Sequence, residues 1–211
     1  MSRSPLTARD ASSLERCVRG GGVALFPADT VYGLCCDPEN RRAAKRLYEL
    51  KGRDAERPAA VMFFALERAL TALGELEEPE RRALEALLPG PVTLLLPNRA
   101  RRFQAAGGAQ GATLGLRVPL LGAALSALGS VTLAVMQSSA NLTGGPDASR
   151  VADVPASVRD GVDLVLDAGE LPGTPSSVVD LCSYASDGSF SVVRAGALSE
   201  AAIALALGEV R

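Results

Sequence analysis

Gly20, Gly21, Gly22, Val23, Ala24, Leu25, Phe26, Pro27, Ala28, Asp29 and Thr30 read in order as a helix end, a strand and a loop, and that succession decides the fold class. Val23 to Phe26 is a short apolar run closed by Pro27, which suits a buried strand rather than one that alternates with polar residues. Upstream, Thr7 and Asp10 stand three apart as a weak capping box, opening a helix that runs to the glycine triplet. Downstream, a second helix starts at Asn40. There Ala43, Ala44, Leu47 and Tyr48 recur on one face while Arg41, Arg42, Lys45 and Arg46 cover the rest, and Gly52 ends it.

The same alternation continues along the chain. Apolar runs at residues 60–64, 92–96, 113–118, 132–136, 164–166, 178–182 and 190–193 read as strands. Helices are expected at 66–73, at 79–88 with Pro79 in the first turn, at 121–128 and at 199–207. Residues 98–112, with Arg99, Arg101 and Arg102 among small residues, read as a mobile loop. Strands alternating with helices predict a layered α/β fold with a mixed, largely buried sheet. With no repeat and no long linker, residues 1–211 read as a single domain.

Composition excludes several function classes. The formal charge of -2, from 22 basic and 24 acidic residues, gives no global field for nucleic acid or an anionic membrane, so any anion site has to be local. Aromatic residues are 4% of the chain and Trp is absent, which leaves few platforms on which unpaired bases could stack. Histidine is absent too, and Ser-His-Asp and Cys-His mechanisms go with it. Cys17, Cys35, Cys36 and Cys182 lack a CxxC pair or a disulfide framework and read as reduced, packed thiols. The N-terminus is polar and no apolar run approaches a membrane span, so the expected location is cytoplasmic.

Three constellations could carry chemistry. Lys51, Gly52 and Arg53 place two cations just past a helix end, where they can converge on a polyanion such as a triphosphate or merely answer the helix dipole. Gln137, Ser138, Ser139, Ala140 and Asn141, followed by Gly144 and Gly145, put hydroxyl, amide and backbone groups directly after a strand, where an open α/β sheet holds ligands. An ordinary turn has the same composition. Arg117, Ser176, Ser177 and Arg194 flank strand ends, where an arginine can fork onto a carboxylate or phosphate or simply form a surface ion pair. No GxxxxGK[ST] or GxGxxG occurs, so Walker-type and dinucleotide binding are unsupported.

Taken in order, Pro27 Ala28 Asp29 Thr30 Val31 Tyr32 Gly33 Leu34, Lys51 Gly52 Arg53 with Pro58, Pro89 Gly90 Pro91 Val92 Thr93 Leu94, Leu116 Arg117 Val118 Pro119, Ser139 Ala140 Asn141, Ser176 Ser177 Val178 Val179 Asp180 and Arg194 Ala195 Gly196 resemble the ordered signature of the YrdC-like threonylcarbamoyl-AMP synthases. The resemblance implies a three-layer fold, with helices on both faces of a twisted mixed sheet, and a concave, positively charged pocket. It implies ATP binding by Lys51, Arg53, Ser139, Asn141 and Arg194, with Lys51 and Arg53 as the catalytic pair, and L-threonine binding by Thr30, Tyr32, Arg117 and Ser176. Bicarbonate is the third substrate and Mg2+ accompanies the nucleotide. The implied partners are a tRNA threonylcarbamoyl transferase that receives the product and, through basic faces, tRNA or double-stranded RNA. An RNA-binding module without turnover and a related carbamoyl-adenylate activity are the rival readings. The chain departs from the family at Ala28, Ser138 and Pro175, where Thr, Pro and Glu are common, and it resembles the short, single-domain form.

Overall fold

In the computed structural model, which describes residues 5–52, 58–108 and 111–210, local signals set the first elements as the sequence predicts. Helix α1 (Ala8–Arg19) opens on a reciprocal cap, in which Thr7 N donates to Asp10 Oδ2 at 2.8 Å and Asp10 N to Thr7 Oγ1 at 3.4 Å. After α1 come β1 (Ala24–Pro27) and β2 (Tyr32–Cys36), then α2 (Arg41–Lys51). The Asn40 side chain accepts from the N–H groups of Arg42 and Ala43 at the start of α2, and Gly52 takes the left-handed conformation (φ 57°) that stops it.

The chain continues through β3 (Ala60–Met62), α3 (Leu66–Ala72), α4 (Glu78–Leu87), β4 (Val92–Pro97), β5 (Thr113–Arg117) and β6 (Val135–Ser139). It ends with α5 (Ala156–Arg159), β7 (Leu164–Val165), β8 (Ser177–Asp180), α6 (Tyr184–Asp187), β9 (Ser191–Arg194) and α7 (Glu200–Gly208). The strands form one mixed sheet in the order β7-β1-β2-β6-β3-β5-β4-β8-β9, so the expected α/β class and mixed sheet are observed. Helices α1, α2 and α5 gather at the β1, β2 and β7 end, while α4, α6 and α7 pack together beside β4. The buried apolar side chains, Phe26, Leu34, Leu47, Met62, Leu94 and Leu116 among them, make one continuous core.

Three expectations are corrected. β2 was not anticipated: all five of its residues are buried, and it returns antiparallel to β1 with Ala24 opposite Cys35 and Pro27 opposite Tyr32. A strand covered on both faces has no polar alternation to betray it. β6 starts and ends three residues later than expected, because its polar half pairs with β2, Ser139 opposite Gly33. The expected helix at 121–128 is a run of tighter 3-10 turns over Ala123–Ser130.

The 98–112 stretch, expected to be mobile, is anchored at both ends of its described part. Asn98 Nδ2 donates to the carbonyls of Arg102 (2.9 Å) and Gly111 (3.0 Å), and the Phe103 ring meets Phe63 edge-on at 6.0 Å. Arg99 reaches Glu80, which has no exposed surface, at 2.8 Å, and also Glu77 at 2.6 Å. Arg102 pairs with Glu75 at 2.8 Å. Among the described residues no helix is long and apolar enough to cross a membrane.

Candidate active site

A cavity of about 470 Å3 opens on one face of the sheet, and the strand period of two explains its walls. Thr113, Gly115 and Arg117 of β5 line it from alternate positions, as do Ser176 just before β8 and Val178 and Asp180 within it. Thr93 and Leu95 of β4 follow the same rule, whereas the end of β6 departs from it, with Gln137, Ser138 and Ser139 all reaching the cavity. Its floor is low because Gly115 lies opposite Ala60 of β3, and a Cβ on Gly115 would come within 3.3 Å of Ala60 Cα.

On one side, Lys51 at the end of α2 is buried and organises the 139–141 turn. Its Nζ donates to Ser139 O, to Asn141 O at 2.9 Å and to Asn141 Oδ1 at 2.9 Å. Ser139 Oγ adds a bond to Asn141 Oδ1 at 2.7 Å, and Asn141 Nδ2 reaches Gly145 O at 2.6 Å. Three residues that are distant in sequence are thus one unit. Ser139 presents it to the cavity, with Lys51 and Asn141 directly behind. Arg53, the fourth member expected here, lies outside the described residues.

Across the cavity, Arg194 on the edge strand β9 donates from Nη2 to Ser176 O at 2.6 Å and to Ser176 Oγ at 3.2 Å. Ser176 Oγ also shares a 2.9 Å hydrogen bond with Thr93 Oγ1. Arg117 is only 3% exposed and contacts Asp29 at 2.6 Å and Thr30 Oγ1 at 3.3 Å, both through Nη2. Its Nε is buried with no hydrogen-bond partner among the described residues, a costly state for a cation beside a cavity unless a ligand completes it. Burial lowers the Arg117 pKa against the pull of Asp29, and the nearby charge of Arg194 lowers it further. Burial likewise pushes the Asp29 carboxyl up against the pull of Arg117. Arg117 and Arg194 face the same space as Asp147 and Asp180, so the cavity offers cations and carboxylates together.

Thr30, Arg117, Ser139, Ser176 and Arg194 of the expected set therefore line one cavity, and Lys51 and Asn141 back it. Tyr32 does not line it. Its hydroxyl donates to Gly169 O at 2.8 Å and accepts from Ala168 N at 3.0 Å, so it holds the 167–169 loop. Gln137, singled out with the 137–141 constellation, lines the cavity as well, whereas sequence reasoning gave no site role to Thr93, Asp147, Asp180 or Asp29. A lone polar residue in the apolar run 92–96 was the signal for Thr93.

The thiols stand apart from this chemistry. All four cysteines are free and none lines the cavity. Burial pushes Cys36 up to about 12, and burial with a hydrogen bond to Asp180 pushes Cys182 up to about 11. At pH 8 about one Cys182 in 10^3 is then thiolate, so a disulfide reagent is expected to label the native protein far more slowly than the denatured chain. Burst labelling of the native protein would contradict this burial.

Hydroxyls, an amide and two arginines converge here without histidine or a nucleophile paired to a base, so the cavity is built to position ligands and stabilise negative charge. That arrangement defines an α/β protein with a polar pocket on one face of a mixed sheet. The family model Sua5/YciO/YrdC, described as "Telomere recombination", matches residues 16–196, and the chain belongs to this family. It is 32% identical over 205 residues to the putative threonylcarbamoyl-AMP synthase of Mycobacterium leprae, covering 96% of this chain and 90% of that one. It is 28% identical over 195 residues to the threonylcarbamoyl-AMP synthase of Pyrococcus abyssi, covering 92% of this chain but 56% of the relative. The solved structure of P. abyssi Sua5 complexed with L-threonine superposes with a TM-score of 0.83 at 26% identity, over 99% of this chain and 60% of that one. The chain thus spans little more than half the length of the Pyrococcus protein.

Proposed function

We propose that this chain, acting as one domain, is a threonylcarbamoyl-AMP synthase that converts ATP, bicarbonate and L-threonine to threonylcarbamoyl-AMP, pyrophosphate and water. The observation that carries the reading is the convergence of Arg117, Arg194 and the Lys51-backed Ser139 on one cavity. The names of the Mycobacterium and Pyrococcus relatives, and the threonine in the Pyrococcus structure, support the same substrates.

In this reading Arg117 receives the threonine carboxylate through the nitrogens that Asp29 leaves unused, with Thr30 and Ser176 beside it. Bicarbonate carboxylates the threonine amine, and a carbamate oxygen attacks the α-phosphorus as pyrophosphate leaves. Ser139, Arg194 and Arg53 hold the phosphates while Lys51 keeps the 139–141 turn in place. These groups lower the barrier by orientation and by charge, which suits a chain without imidazole. Among the described residues no cluster of three His, Cys, Asp or Glu could hold a metal alone. A Mg2+ carried on the nucleotide needs only one or two carboxylates, and Asp147 and Asp180 line the cavity to supply them. When bound, it would neutralise phosphate charge.

The product suits transfer to tRNA as the first step of threonylcarbamoyladenosine formation, in the cytoplasm, through hand-off to the transferase. Direct RNA binding is the less supported reading, since Arg46, Arg99 and Arg102 are already paired with Asp163, Glu80 and Glu75. The test is pyrophosphate release from ATP and magnesium with an amino-acid panel, with and without bicarbonate. Release that requires both threonine and bicarbonate is expected, and release indifferent to both would leave only a nucleotide hydrolase.

A further inference from the structure

The Asp29 side chain is only 4% exposed and is tied at both oxygens, yet it carries no step of the reaction above. Its Oδ1 accepts from Arg117 Nη2 at 2.6 Å and its Oδ2 from Leu120 N at 3.1 Å. The carboxylate therefore bridges the β1–β2 loop to the segment following β5. Only Nη2 of Arg117 has a partner among the described residues, Asp29 and Thr30 sharing it.

We propose that Asp29 is a positioning residue: it holds the Arg117 guanidinium by one nitrogen so that its remaining edge is fixed for the α-carboxylate of an amino-acid substrate. The inference rests on the assignment of Arg117 to that carboxylate. The two donors call for a carboxylate at this position. Both of its partners are N–H donors, so asparagine would turn its own NH2 toward one of them. Glutamate keeps the charge but adds a methylene, which shifts Arg117 or breaks the bond to Leu120. A guanidinium without this tether keeps its charge and loses its direction, and orientation is what a bidentate carboxylate contact needs.

The experiment measures steady-state KM for L-threonine and for ATP in Asp29→Asn, Asp29→Glu and Arg117→Lys, and in the double variant Asp29→Glu with Arg117→Lys. Both Asp29 variants should raise the threonine KM about tenfold or more while the ATP KM stays within about twofold, with the double variant no worse than Arg117→Lys alone. Asp29→Glu preserves charge balance, so it carries the test if Asp29→Asn fails to fold. An unchanged threonine KM in a folded Asp29 variant, a parallel rise in both KM values, or additive effects in the double variant would overturn the proposal. If Arg117→Lys itself leaves the threonine KM unchanged, the assignment of Arg117 fails instead, so the two failures are distinguishable.

Discussion

Lys51→Met is expected to cut turnover in the pyrophosphate-release assay by about 10^2- to 10^3-fold while the chain stays folded. Methionine keeps the apolar stem packed at the end of α2 but removes the ammonium that gathers Ser139 O, Asn141 O and Asn141 Oδ1. A hydrogen bond to a charged group contributes about 1.5 to 3 kcal/mol, and a factor of ten in rate corresponds to about 1.4 kcal/mol, so losing two such contacts is enough for a loss of this size. The damage should appear in the site before it appears in the fold, because the 139–141 turn keeps its bonds from Ser139 Oγ to Asn141 and from Asn141 to Gly145. Lys45→Met on the same helix is the control. Lys45 is exposed and among the described residues pairs with Glu49 alone, at 3.6 Å, so that variant should behave as wild type. Circular dichroism checks the fold, and wild-type turnover in Lys51→Met would remove the residue from the machinery.

Gly196→Ala is expected to destabilise the protein strongly through a single added methyl. A Cβ there would lie 2.4 Å from Pro175 O and 2.5 Å from both Ser176 C and Ser177 N, and backbone cannot swing aside as a side chain can. Overpacking of this kind costs about 3 kcal/mol, which in a chain of this size lowers Tm by about 6 to 12 °C. Activity should fall with it, because the contact lies beside the Arg194 to Ser176 bonds that close one cavity wall. Gly208→Ala, with nothing within 4 Å of the added carbon, provides the comparison. A Gly196→Ala protein that melts like wild type would show that the 175–177 backbone is not fixed by this approach.

Much of this architecture is legible in the chain because its signals are local. The Thr7 cap, the Asn40 cap and the Gly52 stop act within a few residues and are found where expected. β2 was not legible because Tyr32 to Cys36 owes its conformation to partners on both sides. Gly33, a poor strand former, sits there because Ser138 O would come within 3.1 Å of a Cβ. Gln137 to Ser139 resembled a turn for a related reason. They are polar because they face the cavity, not because the strand has ended. The arginines at strand ends could be picked out by residue type, whereas Asp29 could not, since only the closed sheet brings it to Arg117. Tyr32, expected among the ligands, has its hydroxyl bonded to Gly169 O, and where a hydroxyl points is not written in residue type.

The cavity walls come from β3, β4, β5, β6, β8 and β9, whose order across the sheet bears little relation to their order along the chain. No fragment short of nearly the whole polypeptide can own this binding surface, so its assembly waits for the long-range pairings that are slowest to form. Small ligands that recognise it consequently favour the finished conformer alone, and nucleotide or amino acid at saturating concentration acts as a thermodynamic brake on unfolding. In a cell short of substrate, the same polypeptide would lose that protection and become the easier prey of proteases.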